Sequence, residues 1–254
     1  MKKMNTIRTE YRDNIKWIYL DRPSQLNALN EEMLDELIVT IDEIDKDKDV
    51  RCVVITGEGG KAFAAGADIK AMEAMSFTQA REFSVKGRQL MDDIANLAVP
   101  VIAAINGFAF GGGLELALAC DFRIAAVNAR IGLPEVTLGI MPGWDGALRL
   151  SRIAGYGYAS EVVFSGETLD AKEAERMGIV NRVLPEEALL GFVEDLAHKI
   201  CKNAPIGIRY AKKCMKDCGA DRSKLFGKLF LTADQKTGMN NFNRKCKTEF
   251  FEGK

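Results

Sequence analysis

The sequence contains one histidine, His198, and only six cysteines, none of them in a CxxC arrangement. The cysteines lie at Cys52, Cys120, Cys201, Cys214, Cys218 and Cys246. Protein zinc sites are built mainly from clustered Cys and His, and a Ser-His triad needs a histidine beside its nucleophile. Both kinds of site are therefore disfavoured, and no metal is expected. The scattered cysteines are predicted to be reduced thiols, and His198 a surface residue of a helix.

An excess of charge of either sign is also lacking, because 35 basic residues face 36 acidic ones. A nucleic-acid-binding protein usually carries a basic excess or stripe, so this class is disfavoured. The longest apolar stretch, residues 99–120, is interrupted by Asn106, by glycines and by Glu115, which makes it too polar for a membrane span. Charged residues follow the first lysines where a signal peptide would need an apolar core. We expect a cytoplasmic protein with no membrane or nucleic-acid partner.

Hydrophobic residues make up 47% of the 254 residues, enough for a sizeable core. Apolar strand-like runs at 15–20, 52–57, 100–105 and 122–126 alternate with amphipathic helical patterns at 30–44 and 78–97. From about Gly146 onward the patterns are helical, at 148–153, 159–164, 171–177, 189–202, 206–218 and 225–236. This order predicts an α/β layered core followed by a helical C-terminal extension.

The first segment that indicates chemistry is Gly111-Gly112-Gly113, followed by Glu115. A strand enters the glycines and a helix leaves them, so free backbone N–H groups at the helix start can bind an anion or an oxyanion. A tight turn alone would also explain the glycines. Glu115 lies in an apolar helix, where burial raises a carboxyl pKa toward neutrality. The alternative for Glu115 is a structural ion pair, for example with Arg123.

Two further loops share this character. Glu135 follows Pro134 and stands in an uncharged stretch, where it is either a catalytic carboxylate or a helix-start residue that interacts with the helix dipole. Residues 61–70 contain a second run of small residues that leads from a strand into a helix. The run offers a second set of backbone N–H groups, and Asp68 at its end has the alternative role of a helix cap.

These loops together resemble the enoyl-CoA hydratase/isomerase (crotonase) family. The matching segments are KAFAAGADIK at 61–70, PVIAAINGFAFGGGLELA at 100–117 and LPEVTLG at 133–139. The resemblance extends from Arg22-Pro23 to Phe242, nearly the whole chain. It implies an α/β fold, a crotonase-like spiral of ββα units at 1–195, with a helical oligomerisation region at 196–254. It also implies a homotrimer or a homohexamer made of two trimers.

The resemblance implies roles for particular residues. Glu115 and Glu135 would be the catalytic pair of a hydratase, which adds water reversibly to a short or medium enoyl-CoA to give 3-hydroxyacyl-CoA. The backbone N–H groups of Ala67 and Gly112 would form the oxyanion hole. No separate cofactor is implied, since coenzyme A is part of the substrate. Contacts with the CoA or acyl group would come from Ser24, Ala28, Ala65, Asp68, Ile69, Lys70, Trp144, Phe242 and Lys245. The alternative for Lys245 is a solvated charge.

The chain departs from the family pattern after Pro142-Gly143. Many hydratases continue there with one variable residue followed by Gly-Gly-Thr-Gln. Here Trp144 is followed by Asp145, and Ala147-Leu148 replace Thr-Gln. Asp145 is either an N-cap or a third carboxylate near the acyl pocket, and the bulky Trp144 could shape that pocket. Ser24 replaces a basic residue found in many relatives. The alternatives to hydration are isomerisation, a branched or cyclic enoyl-CoA substrate, and a non-catalytic CoA- or RNA-binding protein.

Overall fold

The computed structural model describes residues 4–248 and 250–254, which contain ten strands and eleven α-helices. The strands are β1 (Ile7–Arg12), β2 (Ile15–Leu20), β3 (Cys52–Gly57), β4 (Ala62–Ala64), β5 (Val101–Ile105), β6 (Phe108–Phe110), β7 (Phe122–Ala126), β8 (Arg130–Gly132), β9 (Thr168–Asp170) and β10 (Arg182–Leu184). The helices are α1 (Glu31–Lys46), α2 (Ile69–Met72), α3 (Phe77–Asn96), α4 (Gly112–Ala119), α5 (Gly146–Ala154), α6 (Tyr156–Ser165), α7 (Ala171–Arg176), α8 (Glu186–Cys201), α9 (Pro205–Lys216), α10 (Arg222–Leu229) and α11 (Ala233–Asn243). Short 3₁₀ helices cover Pro23–Gln25 and Pro134–Leu138.

The strands form two sheets, and the chain alternates between them. The larger sheet has the order β1-β2-β3-β5-β7-β10, and the smaller has β4-β6-β8-β9. Each of the pairs β3-β4, β5-β6 and β7-β8 gives one strand to each sheet before a helical segment follows. This repeated ββα path winds into a spiral, as predicted, because parallel neighbours need a crossover connection between them. Antiparallel pairing occurs at β1-β2 and β8-β9.

The central strands of the larger sheet, β3 and β5, are buried on both faces, which explains their continuous apolar sequences. One face packs under α8, where Val54 and Ile102 meet Leu189 and Val193. The other face joins the main core together with α1, α3 and α4. Because His198 lies on α8, it is separated from the smaller sheet by the larger one. None of the described helices combines the length and apolarity that crossing a bilayer requires.

The predicted elements of the core are present, with ends shifted by a few residues. One predicted helix is wrong, since residues 225–236 belong to two helices, α10 and α11. The break occurs at Thr232, whose side chain accepts a hydrogen bond from the backbone N–H of Gln235 and so starts α11. The sequence patterns also missed β1, an edge strand with mostly polar residues. The expected division between residues 195 and 196 falls within α8 and stays a prediction.

Candidate active site

Three loops meet at one edge of the smaller sheet. Its strands β4, β6 and β8 are neighbours and run parallel, so their carboxyl ends lie side by side. Loops at this position commonly carry ligand sites in α/β proteins. The loop after β4 leads to Ala67, the loop after β6 to Glu115, and the loop after β8 to Glu135. The spiral therefore brings together three segments that are far apart in the sequence.

These loops and one face of α3 enclose a predominantly apolar cavity of about 440 Å³. That volume lies within the range of small-molecule sites. Both predicted carboxylates, Glu115 and Glu135, line it. The lining also includes Ala65, Gly66, Ala67, Ile69, Met72, Ala80, Phe83, Ser84, Phe110, Gly111, Gly112, Pro134, Leu138, Ile140, Met141, Gly143 and Trp144. The contribution of α3 was not foreseen, because its amphipathic pattern is that of any core-facing helix.

Glu115 is almost completely buried in α4, with 2% of its surface exposed. Its Oε1 accepts hydrogen bonds from the backbone N–H groups of Trp144, at 2.8 Å, and Gly146, at 2.7 Å. Burial raises the pKa of Glu115 to about 7, against the two hydrogen bonds, which lower it; the nearby charges of Glu135 and Asp145 raise it further. Near neutrality, this carboxyl group can therefore both donate and accept a proton.

The ion pair considered as an alternative for Glu115 is not formed. Arg123 instead donates to the backbone carbonyl oxygens of Ile179, at 2.6 Å, and Cys120, at 2.8 Å. The backbone of Gly146 packs closely against the side chain of Glu115, because a Cβ added at Gly146 would lie 2.5 Å from Cγ of Glu115. A side chain at position 146 would thus displace the carboxylate. This requirement for glycine was not recognised in the sequence.

Glu135 lies in the 3₁₀ helix Pro134–Leu138 and is also buried. Burial raises its pKa, while a hydrogen bond from its own backbone N–H lowers it. Its Oε2 is buried and receives no hydrogen bond from the described residues. Such an acceptor is costly unless something uses it. Gly111, with φ of 48°, passes so close that an added Cβ would lie 2.7 Å from Oε1 of Glu135.

The backbone N–H groups of Ala67 and Gly112, predicted to form an oxyanion hole, both lie at the cavity. Leu29 pairs with the residues on either side of Ala67, because its N–H donates to Gly66 and its carbonyl accepts from Asp68. Successive N–H groups in an extended chain point to opposite sides, so the N–H of Ala67 faces away from Leu29. Gly112 is the first residue of α4, where N–H groups have no partner within the helix. Both residues line the cavity.

The loop predicted to contact CoA is held by two side chains. Arg22 donates to the carbonyl oxygen of Ala28 and pairs with Asp68 at 3.3 Å. The buried side chain of Asn27 accepts from the backbone N–H of Arg22 and donates to two carbonyl groups, one just after β3 and one at the first residue of β4. Ser24 is exposed on this loop. Asp68 does occupy the N-cap position of α2, but its side chain makes no capping hydrogen bond with that helix.

The Trp144-Asp145 pair lies beside Glu115. Trp144 is 2% exposed and lines the cavity. Asp145 occupies the N-cap position of α5 in a left-handed conformation, with φ of 68°. The predicted N-cap position is therefore confirmed, but the side chain makes no capping hydrogen bond with α5. The alternative, a third carboxylate that disfavours ionisation of Glu115, agrees with the direction in which Asp145 shifts the pKa of Glu115.

The remaining predicted contact residues fall into two groups. Ala65 and Ile69 line the cavity, and Lys70 is exposed beside them on α2. Phe242, on α11, and Lys245, just beyond it, are exposed and absent from the cavity lining of their own chain. Their expected contact with a neighbouring subunit's substrate stays a prediction.

Two carboxyl groups with raised pKa values lie in an apolar cavity beside two backbone N–H groups that have no acceptor among the described residues. Such a site is suited to acid–base chemistry with an oxyanion-like intermediate. Comparison with known proteins agrees with this class. The enoyl-CoA hydratase/isomerase family model matches residues 10–253. The chain belongs to this family.

Among the similar proteins is the short-chain-enoyl-CoA hydratase of Clostridium acetobutylicum, 40% identical over 99% of this chain and 100% of that protein. The crotonyl-CoA hydratase of Syntrophomonas wolfei is 41% identical over 95% of this chain and 96% of its own length. A crystal structure of enoyl-CoA hydratase from Bacillus anthracis superposes with a TM-score of 0.94 at 37% identity, covering 98% of this chain and 100% of that one. The predicted spiral fold is thereby confirmed.

Proposed function

We propose that this protein is an enoyl-CoA hydratase that adds water reversibly across the 2,3 double bond of a short or medium enoyl-CoA. The product is a 3-hydroxyacyl-CoA. The observation that carries the proposal is the pair of buried carboxyl groups, Glu115 and Glu135, that face one apolar cavity. Relatives about 40% identical over nearly the whole chain are named as hydratases of such substrates, which supports the same activity here.

The backbone donors would hold the thioester carbonyl oxygen. When water adds at C3, negative charge moves through C2 onto this oxygen, and the N–H groups of Ala67 and Gly112 stabilise the resulting enolate. Fixed donors in an apolar cavity need no reorganisation as the charge develops. Each such donor typically contributes about 10² to 10³ in rate.

The two carboxyl groups would then move the protons. One carboxylate takes a proton from the water as its oxygen bonds to C3, and a carboxylic acid delivers a proton to C2, so the sum is addition of one water. The two groups interact, since the charge of Glu135 raises the pKa of Glu115. They therefore titrate as a pair, and the mechanism needs the pair to hold one proton in total.

The CoA portion would lie along the loop that carries Ser24 and Ala28 and along the start of α2, with Asp68, Ile69 and Lys70. Support for this placement comes from the Arg22–Asp68 ion pair, which joins the two segments beside the cavity. The preorganised loop would lower the entropic cost of substrate binding. Lys70 would supply a positive charge near the phosphates.

The test is hydration of crotonyl-CoA, followed by the loss of absorbance of its conjugated double bond. We expect turnover by the unmodified protein and a fall in kcat of about 10² to 10⁴ for E115Q and for E135Q. The double variant should be little worse than either single variant, because the two groups act as one unit. An unmodified protein that turns over a 3-enoyl-CoA but not crotonyl-CoA would refute hydration.

We also propose that the protein forms a homotrimer through α9–α11, as a single trimer or as two trimers together. Support comes from large apolar side chains that are exposed there, including Met215 (80%), Leu231 (82%) and Phe242 (82%). Exposed apolar area of this extent commonly marks an interface. Light scattering of L231E should show loss of the trimer if this surface is the interface, and an unchanged mass would contradict it.

A further inference from the structure

Trp144 lines the cavity and is almost completely buried, whereas several other lining residues are exposed. Met141 is 74% exposed and Ile140 44%, whereas Trp144 is only 2% exposed. Ile69, at 48%, is exposed as well, so the cavity is open along these residues and the indole ring belongs to its buried side. An acyl chain that enters from the exposed side and extends into the buried side would meet this ring.

Two glycines make the space that the ring occupies. A Cβ added at Gly87, in the middle of α3, would lie 2.1 Å from Nε1 of Trp144, and one added at Gly112 would lie 2.4 Å from Cζ3. The ring of Phe83 packs against the indole with centroids 5.4 Å apart. Because backbone from two helices contacts the ring on different edges, the ring cannot move aside without displacing a helix.

The ring also lies directly beside the reacting groups. The backbone N–H of Trp144 donates to Glu115, and its ring contacts Gly112, whose own N–H we assign to the thioester oxygen. Carbons C1 to C3 of an acyl chain would thus be fixed next to the indole. Further carbons that extend inward would have to enter the volume that the ring fills.

We propose that Trp144, fixed between Gly87 and Gly112, limits the length of the acyl chain and makes the site selective for short 2-enoyl groups. This inference rests on the proposed function, because the position of the acyl chain is deduced from that of the catalytic pair, Glu115 and Glu135. It goes beyond that function by assigning chain-length selection to one side chain and its two glycine neighbours.

The test compares kcat/KM for crotonyl-CoA and for 2-octenoyl-CoA in the unmodified protein, W144L and W144A. Burial of each additional methylene contributes about fourfold to binding. Two or more newly accommodated methylenes should therefore raise the ratio of octenoyl to crotonyl activity on the order of tenfold. W144L retains apolar packing and keeps the test valid if W144A does not fold.

The control is W17F, which changes the other tryptophan of the chain. Trp17 is buried between the larger sheet and α8, outside the cavity lining. W17F should leave the activity ratio unchanged. A ratio that stays within twofold of the unmodified protein in both Trp144 variants would overturn the proposal.

A binding measurement separates this proposal from the hydratase assignment. In W17F, Trp144 is the remaining tryptophan, so its emission reports butyryl-CoA and octanoyl-CoA binding without any reaction. We expect a change in emission with butyryl-CoA and at least tenfold weaker binding of octanoyl-CoA, with the preference lost in W144L when binding is measured by calorimetry. Equal affinities in the unmodified protein would overturn the length limit even if hydration occurs. An inactive protein with this preference would refute hydration alone.

Discussion

Replacing Glu115 with Gln should make the protein less active but more stable above neutral pH. The substitution removes an ionisable group while Oε1 still accepts the backbone N–H groups of Trp144 and Gly146. Gln therefore resembles the protonated carboxyl group, which burial favours. The activity loss and the stability gain have the same cause, namely that α4 holds a carboxylate where an apolar environment disfavours its charge.

The pKa of Glu115 determines the size and the sign of the stability change. Its value of about 7 in the folded protein, against an ordinary 4.5, corresponds to about 3 kcal/mol. Between these values the folded protein keeps a proton that the unfolded chain releases, so stability falls as the pH rises from about 4.5 through about 7. Above pH 7 the ionised Glu115 lowers the stability of the folded protein by the full amount of about 3 kcal/mol. E115Q should be free of this cost, and its advantage should vanish toward pH 4.5.

Urea unfolding at pH 5 and pH 8 provides the assay, with the midpoint and slope fitted separately. We expect E115Q to exceed the unmodified protein by up to about 3 kcal/mol at pH 8 and by little at pH 5. The matched control is E161Q, at an exposed position of α6, which should show no comparable dependence on pH. A difference between E115Q and the unmodified protein that is equal at both pH values would refute the raised pKa.

Two further predictions concern the surroundings of Glu115 and Trp144. D145N removes a negative charge that raises the pKa of Glu115, so the limb of the kcat/KM profile that reports Glu115 should move to lower pH; a limb that stays in place would contradict this influence. G87A should destabilise the protein by about 1–3 kcal/mol through overlap with Trp144. The equivalent change in an open helix position, G191A, should be neutral or stabilising by up to about 1 kcal/mol. Thermal unfolding of both glycine variants gives the comparison, and similar shifts would show that the ring does not fill the space beside Gly87.

The apolar patterns predict an α/β core, and the resemblance to the crotonase family implies its spiral path and the segments that form the cavity. Long apolar runs such as β3 and β5 are distinctive because strands buried on both faces exclude polar residues. The three loops were recognised from their small residues and from the two glutamates. Their convergence at one sheet edge follows from the parallel order β4-β6-β8, and strands of three residues carry too little periodicity to reveal that order.

Other features could not be predicted because they depend on contacts between distant segments. The backbone N–H of Gly146 donates to Glu115, 31 residues earlier in the chain, and no local pattern marks that bond. Asp145 stands where a capping residue is expected, yet its backbone is left-handed and its side chain makes no capping hydrogen bond. Gly87 appears as an ordinary helix glycine until the packing shows the indole ring against it.

The two backbone donors have an evolutionary consequence. Because an N–H group is present in every residue except proline, ordinary substitutions at Ala67 or Gly112 change the space around the donor but leave the donor itself in the chain. The glutamates have no such protection, since a single nucleotide change can remove a carboxyl group. In the proposed mechanism, divergence should therefore alter the proton-transfer groups, Glu115 and Glu135, readily while the backbone donors persist, so that new reactions would arise around the same proposed way of holding the thioester.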